Sequence, residues 1–378
     1  MRVPGRIGDG LVAGIFMSLA WSLRGQFGHL KGALIPGAVA AAIVCFFHQE
    51  ELWRKGFGWA VILSALGFSL GGHLSYGALI ERILASPDFA TASGDFFWIF
   101  IIGAVWGGLG LTFLGFALSE KPFTPYDLLL LAFLGVFWFI PLGVFNQEAY
   151  DLLLFGAGLA VVHAYNFFVK KSQMMSLFGA AGILGFGFGF LAAVVILYTG
   201  HQGWIPGSWR WWALRDQILG FIAGWAIVIA FHRSVNLGLS PAREMITLTS
   251  QKAGLIFYVV FIPLINCFGA VLYWMTEQPL HSSFLTAFLG FLFLAFFGVV
   301  FVLLARAETR LLVERALDHL LFFSTLIFIW VLSASAIAKQ LLPFGWSRWE
   351  PAFTLFLMDS FLLTLFLPFK IYRRNISL

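Results

Sequence analysis

Charged residues are scarce in this chain. They make up 11% of its 378 residues, whereas a typical soluble domain has about 25%. Apolar residues supply 60%, and the mean hydropathy is +0.91. This composition excludes a soluble globular protein and a disordered chain, because both need more charge and less apolar surface. It leaves a polytopic membrane protein, in which most side chains face lipid or one another.

Cysteine and proline are also few, with 2 and 13 residues. Two cysteines cannot support a disulfide scaffold, and Cys/His clusters at zinc-binding spacing are absent. The chain also lacks a Walker A motif, a Rossmann glycine fingerprint, His-Glu-x-x-His and Gly-x-Ser-x-Gly. We therefore expect no bound cofactor and no metal ion, and no known motif supplies a catalytic nucleophile.

Long apolar runs are what the chain has in abundance. A helix needs about 20 mostly apolar residues to cross the hydrocarbon core of a membrane. Twelve runs approach this length: 7–23, 32–48, 57–74, 96–118, 128–145, 152–169, 177–199, 218–231, 254–274, 284–304, 320–337 and 353–371. The eighth run is short, and we expect its helix to begin nearer Trp211. The sequence thus predicts an all-α fold, a polytopic transmembrane helix bundle of about twelve spans that forms one domain, 1–378.

The distribution of lysine and arginine predicts the orientation. Sixteen of the 23 lie on the side of the predicted bundle that holds the N-terminus, and seven lie on the other side. Because positive residues concentrate in cytoplasmic loops, both termini are predicted to be cytoplasmic, in a bacterial inner membrane. The net charge of +5 is then a topology signal. We expect the lipid bilayer as a partner and no nucleic acid.

The first and third runs resemble each other, since residues 15–25 and 62–72 share Ile, Leu, Ser, Leu and Gly at matching positions. A weaker similarity to this pattern occurs at residues 182–190. This pattern favours two six-helix halves, 1–171 and 172–378, an arrangement that is common in transporters. Pairs of glycine four residues apart, such as Gly10/Gly14 and Gly220/Gly224, predict close helix packing.

Polar residues near or inside a bilayer are costly, so they form the list of candidate functional residues. The first group lies in segment 24–32, which joins the first two spans in nine residues. Its three glycines allow the backbone to leave helical geometry. Arg24, Gln26, His29 and Lys31 suit a carboxylate or phosphate ligand. The alternative is an interfacial loop whose cations reach lipid headgroups.

The second group lies in the Trp-rich segment 201–217, on the same predicted side. Trp209, Trp212 and Asp216 would share one helix face, with Arg215 beside them. This pattern indicates a stacking wall with polar contacts for a ring, a sugar or a lipid headgroup. The alternative is an aromatic belt at the membrane interface.

The remaining candidates are isolated. Glu148 lies in a predicted outer turn and could pair with Arg24 or Lys31, or face solvent. His73 lies near the outer end of the third span. Asp359 and His163 lie inside spans and are candidates for proton coupling, and the alternative for each is a local hydrogen-bond partner.

Three functions fit this pattern. A secondary transporter for a small anionic or polar solute fits the span number, the repeat and the sparse ionisable groups. A membrane enzyme that modifies a lipid-linked or glycan substrate at the outer leaflet fits the crowding of polar residues on one side. A non-catalytic subunit, bound to a partner in a membrane complex, fits the many aromatic residues. The transporter is the preferred hypothesis.

Overall fold

A computed structural model describes residues 5–47, 51–74, 76–139, 148–204, 211–242, 248–262 and 264–266. All regular structure in these ranges is helical, as the composition predicts. The helices are α1 (Gly5–Phe27), α2 (His29–Phe47), α3 (Glu51–Lys55), α4 (Phe57–Gly71), α5 (Gly77–Ala85), α6 (Phe89–Ala117), α7 (Pro125–Phe139), α8 (Glu148–Tyr165), α9 (Gln173–His201), α10 (Trp211–Asn236) and α11 (Leu248–Ile256). Two π-helical turns, Asn166–Lys170 and Phe257–Phe261, extend α8 and α11.

Nine of the predicted apolar runs overlap helices in the described ranges, and α10 begins at Trp211 as expected. The runs 284–304, 320–337 and 353–371 lie outside the described residues. Within the described ranges, four segments are long and apolar enough to cross a membrane: Phe89–Ala117, Leu152–Lys170, Gln173–His201 and Leu214–Asn236. These helices are compatible with a membrane protein. The division into halves stays a prediction, because most of the second half lies outside the described residues.

The connection between α1 and α2 differs from the expectation of a nine-residue irregular segment. Helix α1 continues to Phe27 and α2 begins at His29, so that Gly28 alone interrupts the two helices. Gly28 has a φ of 88°, a conformation that glycine adopts without steric cost. Arg24, His29 and Lys31 therefore lie in the terminal turns of two helices, which hold them more firmly than a loop would.

Six of the described helices pack side by side in a closed cycle, which we call the helix ring. Its order is α1, α2, α4, α6, α9 and α10, and α10 packs back against α1. Neighbouring helices run antiparallel. We call one end of this ring the His29 end, where α1, α4 and α9 finish and α2, α6 and α10 start. The opposite end, where α9 starts after Lys170, is the Lys170 end.

Aromatic side chains fill the interior of the helix ring. The ring centroid of Trp21 in α1 lies 5.2 Å from that of Trp106 in α6 and 5.8 Å from that of Phe186 in α9. Phe68 in α4 lies 5.1 Å from Phe186. Because α1 is adjacent to neither α6 nor α9 in the cycle, these contacts span its interior. The ring is therefore a packed core, and all four side chains are buried.

Helices α1 and α10 approach each other almost backbone to backbone. A Cβ atom added to Gly220 or Gly224 of α10 would lie only 2.3 Å from the carbonyl oxygen of Met17 or Ala13 in α1. The Ser18 hydroxyl donates a hydrogen bond of 2.7 Å to the Gln217 carbonyl across the same contact. Small residues permit such approach between membrane helices.

Replacing Gly220 with alanine is therefore expected to destabilise the protein by about 2 kcal/mol, because a packed backbone cannot yield to the new methyl group. Gly156→Ala in α8 is the matched control. Its Cβ would meet nothing within 4 Å, and it should stabilise the protein by up to about 1 kcal/mol through helix propensity. Thermal unfolding in detergent, followed by tryptophan fluorescence, measures both. Equal melting temperatures for wild type and Gly220→Ala would contradict the close contact.

Candidate functional site

Arg24 is buried in the last turn of α1, with 3% of its surface exposed. Its guanidinium carbon lies 4.7 Å from the ring centroid of Trp106, 5.2 Å from that of Trp21 and 5.9 Å from that of Tyr76. Aromatic faces attract cations, and this attraction strengthens away from water. The aromatic residues of the core that lie at the His29 end thus stabilise the positive charge of Arg24 there.

The hydrogen bonds of Arg24 go to acceptors that carry no negative charge. Its Nη1 donates to the Tyr76 hydroxyl at 3.1 Å, and its Nη2 contacts Nδ1 of His29. If Nδ1 is the acceptor, the proton of the imidazole is on Nε2. No carboxylate within the described ranges forms an ion pair with Arg24. The charge of this buried guanidinium is therefore not neutralised by that part of the chain.

A second buried arginine comes from the first turns of α10. Arg215 and Asp216 are 5% and 6% exposed, and Nε and Nη2 of Arg215 donate to Oδ1 of Asp216 at 3.0 and 2.7 Å. The guanidinium lies 4.7 Å from the ring centroid of Trp212. Gly25 gives Asp216 room, because a Cβ there would lie 2.7 Å from Oδ2.

Tyr76 lies close to both arginines. Its ring centroid is 5.9 Å from the guanidinium carbon of Arg24 and 5.7 Å from that of Arg215. His29 packs edge-on against the same ring at 5.1 Å. We call Arg24, His29, Tyr76, Arg215 and Asp216 the arginine site. It places two guanidinium groups beside one carboxylate, so it carries an excess of positive charge.

Three buried hydrogen-bond donors around the arginine site have no acceptor in the described part of the chain. They are Nε of Arg24, Nη1 of Arg215 and Nε1 of Trp21. Buried donors are rarely left unpaired, because losing water without gaining a partner costs about 1–3 kcal/mol each. Unpaired donors together with excess positive charge are the features of an anion-binding site.

Comparison of the chain with protein-family models, with curated proteins and with solved structures found no match. Its function must therefore be inferred from the arginine site and the surrounding helices. Among the described residues, no group of three His, Cys, Asp or Glu side chains could hold a metal ion.

The structure brings together five of the candidates from the sequence: Arg24, His29, Trp212, Arg215 and Asp216. His29 and Trp212 are exposed and contact the two buried arginines. Lys31 is exposed in the first turn of α2. Gln26 lies in the last turn of α1, and Glu148 begins α8. Trp209 and Asp359 lie outside the described residues.

The other two candidates have different surroundings. His73 follows α4 and stacks on Phe155 of α8, with 5.5 Å between ring centroids. Nε2 of His163 lies 3.4 Å from the Thr112 hydroxyl, towards the Lys170 end. The proposed coupling function of His163 stays a prediction.

Tyr76 and Trp106 were not candidates from the sequence, although both contact Arg24. Tyr76 follows the third apolar run and lies on the same predicted side as Arg24, so a search for phenol groups near that side could have found it. Trp106 gives no such signal, because it is one of 15 tryptophans in an aromatic-rich chain.

A buried ion pair at the Lys170 end was also missed. Nζ of Lys170 lies 2.8 Å from Oδ2 of Asp127, and the two side chains are 2% and 0% exposed. The Tyr165 hydroxyl donates to Oδ1 at 2.6 Å. Asp127 precedes the predicted span 128–145. Burial acts to raise its pKa, but the bonds from Lys170, Tyr165 and the Thr124 amide outweigh this and hold the pKa below its ordinary value.

Proposed function

We propose that this protein is a secondary transporter for a small anionic solute that carries a carboxylate or phosphate group. Arg24 and Arg215 bind the anion, with His29, Lys31 and Trp212 at the entrance. In this proposal the chain has twelve spans and cytoplasmic termini in a bacterial inner membrane, and the His29 end faces outward. Asp359 and His163 are the proposed proton-coupling residues.

The observation that carries the proposal is the charge of Arg24, which no carboxylate in the described ranges neutralises through an ion pair. A buried cation without a counter-charge is destabilising by several kcal/mol, and such residues in membrane proteins mark ligand or ion pathways. An anion at the arginine site would accept hydrogen bonds from Nε of Arg24 and Nη1 of Arg215. It would also balance the excess positive charge. The same bond pattern suits carboxylate and phosphate, since both present paired oxygens to a guanidinium group.

The arrangement of helices supports transport in a second way. The two arginines belong to α1 and α10, which share the close glycine contact, and the aromatic core lies directly below them. A solute that leaves the arginine site for the other side must therefore displace or rotate this core. Alternating access by movement of one helix group against another is the mechanism that such a site permits.

Uptake into proteoliposomes tests this function. Radiolabelled inorganic phosphate and succinate serve as probe anions, and a pH gradient drives accumulation. We expect wild type to accumulate at least one probe, Asp359→Asn to lose gradient-driven uptake, and Trp212→Ala to change only the half-saturation concentration. Arg82→Gln is the control, because Arg82 forms an exposed ion pair with Asp95. Uptake in Asp359→Asn equal to wild type would refute the coupling function.

One observation favours the outer-leaflet enzyme as a second candidate. His29 is exposed beside Arg24, and Arg24 and Arg215 could hold the phosphate of a lipid-linked substrate while the imidazole acts as a general base. Hydrolysis of such a substrate in detergent, without any gradient, would support this function. Loss of that activity in His29→Gln would assign the base.

A further inference from the structure

A cavity of about 630 Å³ opens near the Lys170 end, away from the arginine site. Its walls come from the end of α8 with the following π-helical turn, from the start of α9, and from Leu237 after α10. Cavities that bind small molecules in proteins have volumes of about 300–1,000 Å³. This one is therefore large enough for a small polar group together with part of an apolar chain.

The lining of the cavity divides into a polar and an apolar part. Lys171, His163, Gln173 and Ser176 provide a cation and hydrogen-bonding groups. The apolar lining consists of Phe167, Leu177 and Leu237, and Phe167, in the π-helical turn after α8, is 73% exposed. A ligand with an anionic head and an apolar tail matches this division.

Two adjacent lysines beside the cavity, Lys170 and Lys171, differ in exposure. Lys170 is buried, and its Nζ donates to Asp127 and to the Pro122 carbonyl. Lys171 is exposed and lines the cavity. Its φ of 54° makes it the one non-glycine residue with positive φ among those described. This conformation is unfavourable for lysine and is retained where the surroundings require it.

The N-terminus of α9 is already occupied. The Glu120 carboxylate accepts hydrogen bonds from the backbone N–H groups of Gln173 and Met174 and from the Ser172 hydroxyl. An anion in the cavity would therefore bind to the side chains of Lys171, His163 and Gln173 rather than to the helix end.

We propose that this cavity binds the phosphodiester headgroup of an anionic phospholipid, with Lys171 as its main cation and the acyl chain along Phe167. The distribution of lysine and arginine predicts that this end is cytoplasmic, and anionic lipids attract basic residues at that surface. Phe167 lines the cavity and is exposed, so we expect a lipid to enter the cavity laterally beside this side chain.

Native mass spectrometry of the delipidated full chain tests the proposal with phosphatidylglycerol, phosphatidylcholine and inorganic phosphate as probes. We expect preferential retention of phosphatidylglycerol, and about fivefold weaker retention in Lys171→Asn. Asparagine suits this variant because it tolerates positive φ. Lys171→Arg should retain the lipid, and Lys121→Asn, which removes an exposed charge from the loop after α6, should match wild type.

A second variant changes a different residue of the cavity lining, Leu237. Leu237→Trp places a larger side chain at a partly exposed turn and should weaken retention of phosphatidylglycerol without touching Lys171. Equal retention of phosphatidylcholine, or equal effects of Lys171→Asn and Lys121→Asn, would overturn the proposal. Displacement of the lipid by inorganic phosphate at equal concentration would also overturn it, because the cavity would then be a site for the free anion.

Discussion

Replacing Arg24 with glutamine is expected to weaken anion binding about 100-fold or more, because it removes a buried charge that pairs with the ligand. The stability of the unliganded protein should change little, or rise. Glutamine loses the contacts with Trp21 and Trp106, but it also removes the desolvation penalty of a cation without a carboxylate partner in the described residues. Arg24→Gln is therefore expected to weaken binding without lowering stability.

Arg24→Lys separates charge from shape. Lysine keeps the positive charge but loses the planar group that lies among Trp106, Trp21 and Tyr76 and that donates to two acceptors at once. We expect it to bind the anion more tightly than Arg24→Gln and less tightly than wild type. Full binding in Arg24→Lys would show that charge alone matters.

The measurement is the shift in melting temperature on titration with inorganic phosphate or succinate in detergent, which reports ligand binding to the folded state. Arg82→Gln is again the control, because its side chain is 59% exposed and pairs with Asp95 at the surface. If Arg24→Gln responds to both anions as wild type does, Arg24 is not a ligand-binding residue. If it unfolds at a much lower temperature, its charge is structural.

The composition predicted the fold class because a chain with so few charged residues is compatible with few kinds of folded protein. A chain that is 60% apolar must hide its backbone polar groups in helices when it meets lipid. The apolar runs then gave several helix positions to within a few residues, with run 57–74 and α4 as one example, whereas α6 and α10 begin well before their runs. Four segments of the described residues are long and apolar enough to cross a membrane, and the last three predicted runs lie outside these residues.

Part of the arginine site was predictable for an electrostatic reason. Arg24 and Arg215 lie on the side that is predicted to carry few cations, so each opposes the topology bias and needs another explanation. Their distance from each other was not predictable. Residues 24 and 215 approach only because α10 closes the helix ring against α1, and Tyr76 joins them from a connection between α4 and α5. Such contacts depend on tertiary packing, which no local pattern in the sequence encodes.

The position of Lys170 depends on a departure from regular α-helical geometry. A regular helix would place Lys170 on the same face as His163 and Asn166. The π-helical turn at Asn166–Lys170 inserts extra residues per turn and changes this register, so Lys170 faces Asp127 instead. Asn166 fixes the turn, because its Nδ2 donates to the Ser172 carbonyl and its Oδ1 accepts from the Ser172 amide. Because the resulting ion pair between Lys170 and Asp127 is buried, its loss is expected to have a large effect on stability.

Replacing Asp127 with asparagine is expected to destabilise the protein by about 3–5 kcal/mol, because the Lys170 ammonium would remain buried without its counter-charge. The double variant Asp127→Asn/Lys170→Met should recover most of the loss, since it removes both charges and leaves an apolar chain against Phe116 and Phe123. Asp95→Asn at the exposed Arg82 pair is the matched control. It should change the free energy of unfolding by less than about 1 kcal/mol.

The pH dependence follows from the lowered pKa of Asp127. A carboxyl group with a lower pKa in the folded state contributes stability that is complete above its unfolded pKa of about 3.9 and disappears as the pH falls through the folded pKa. Between about pH 5 and 8 the difference between wild type and Asp127→Asn should therefore be constant. Below the unfolded pKa the two proteins should converge. Thermal unfolding in detergent across this range measures the difference, and a gap that closes between pH 8 and 5 would show that Asp127 does not hold a paired charge.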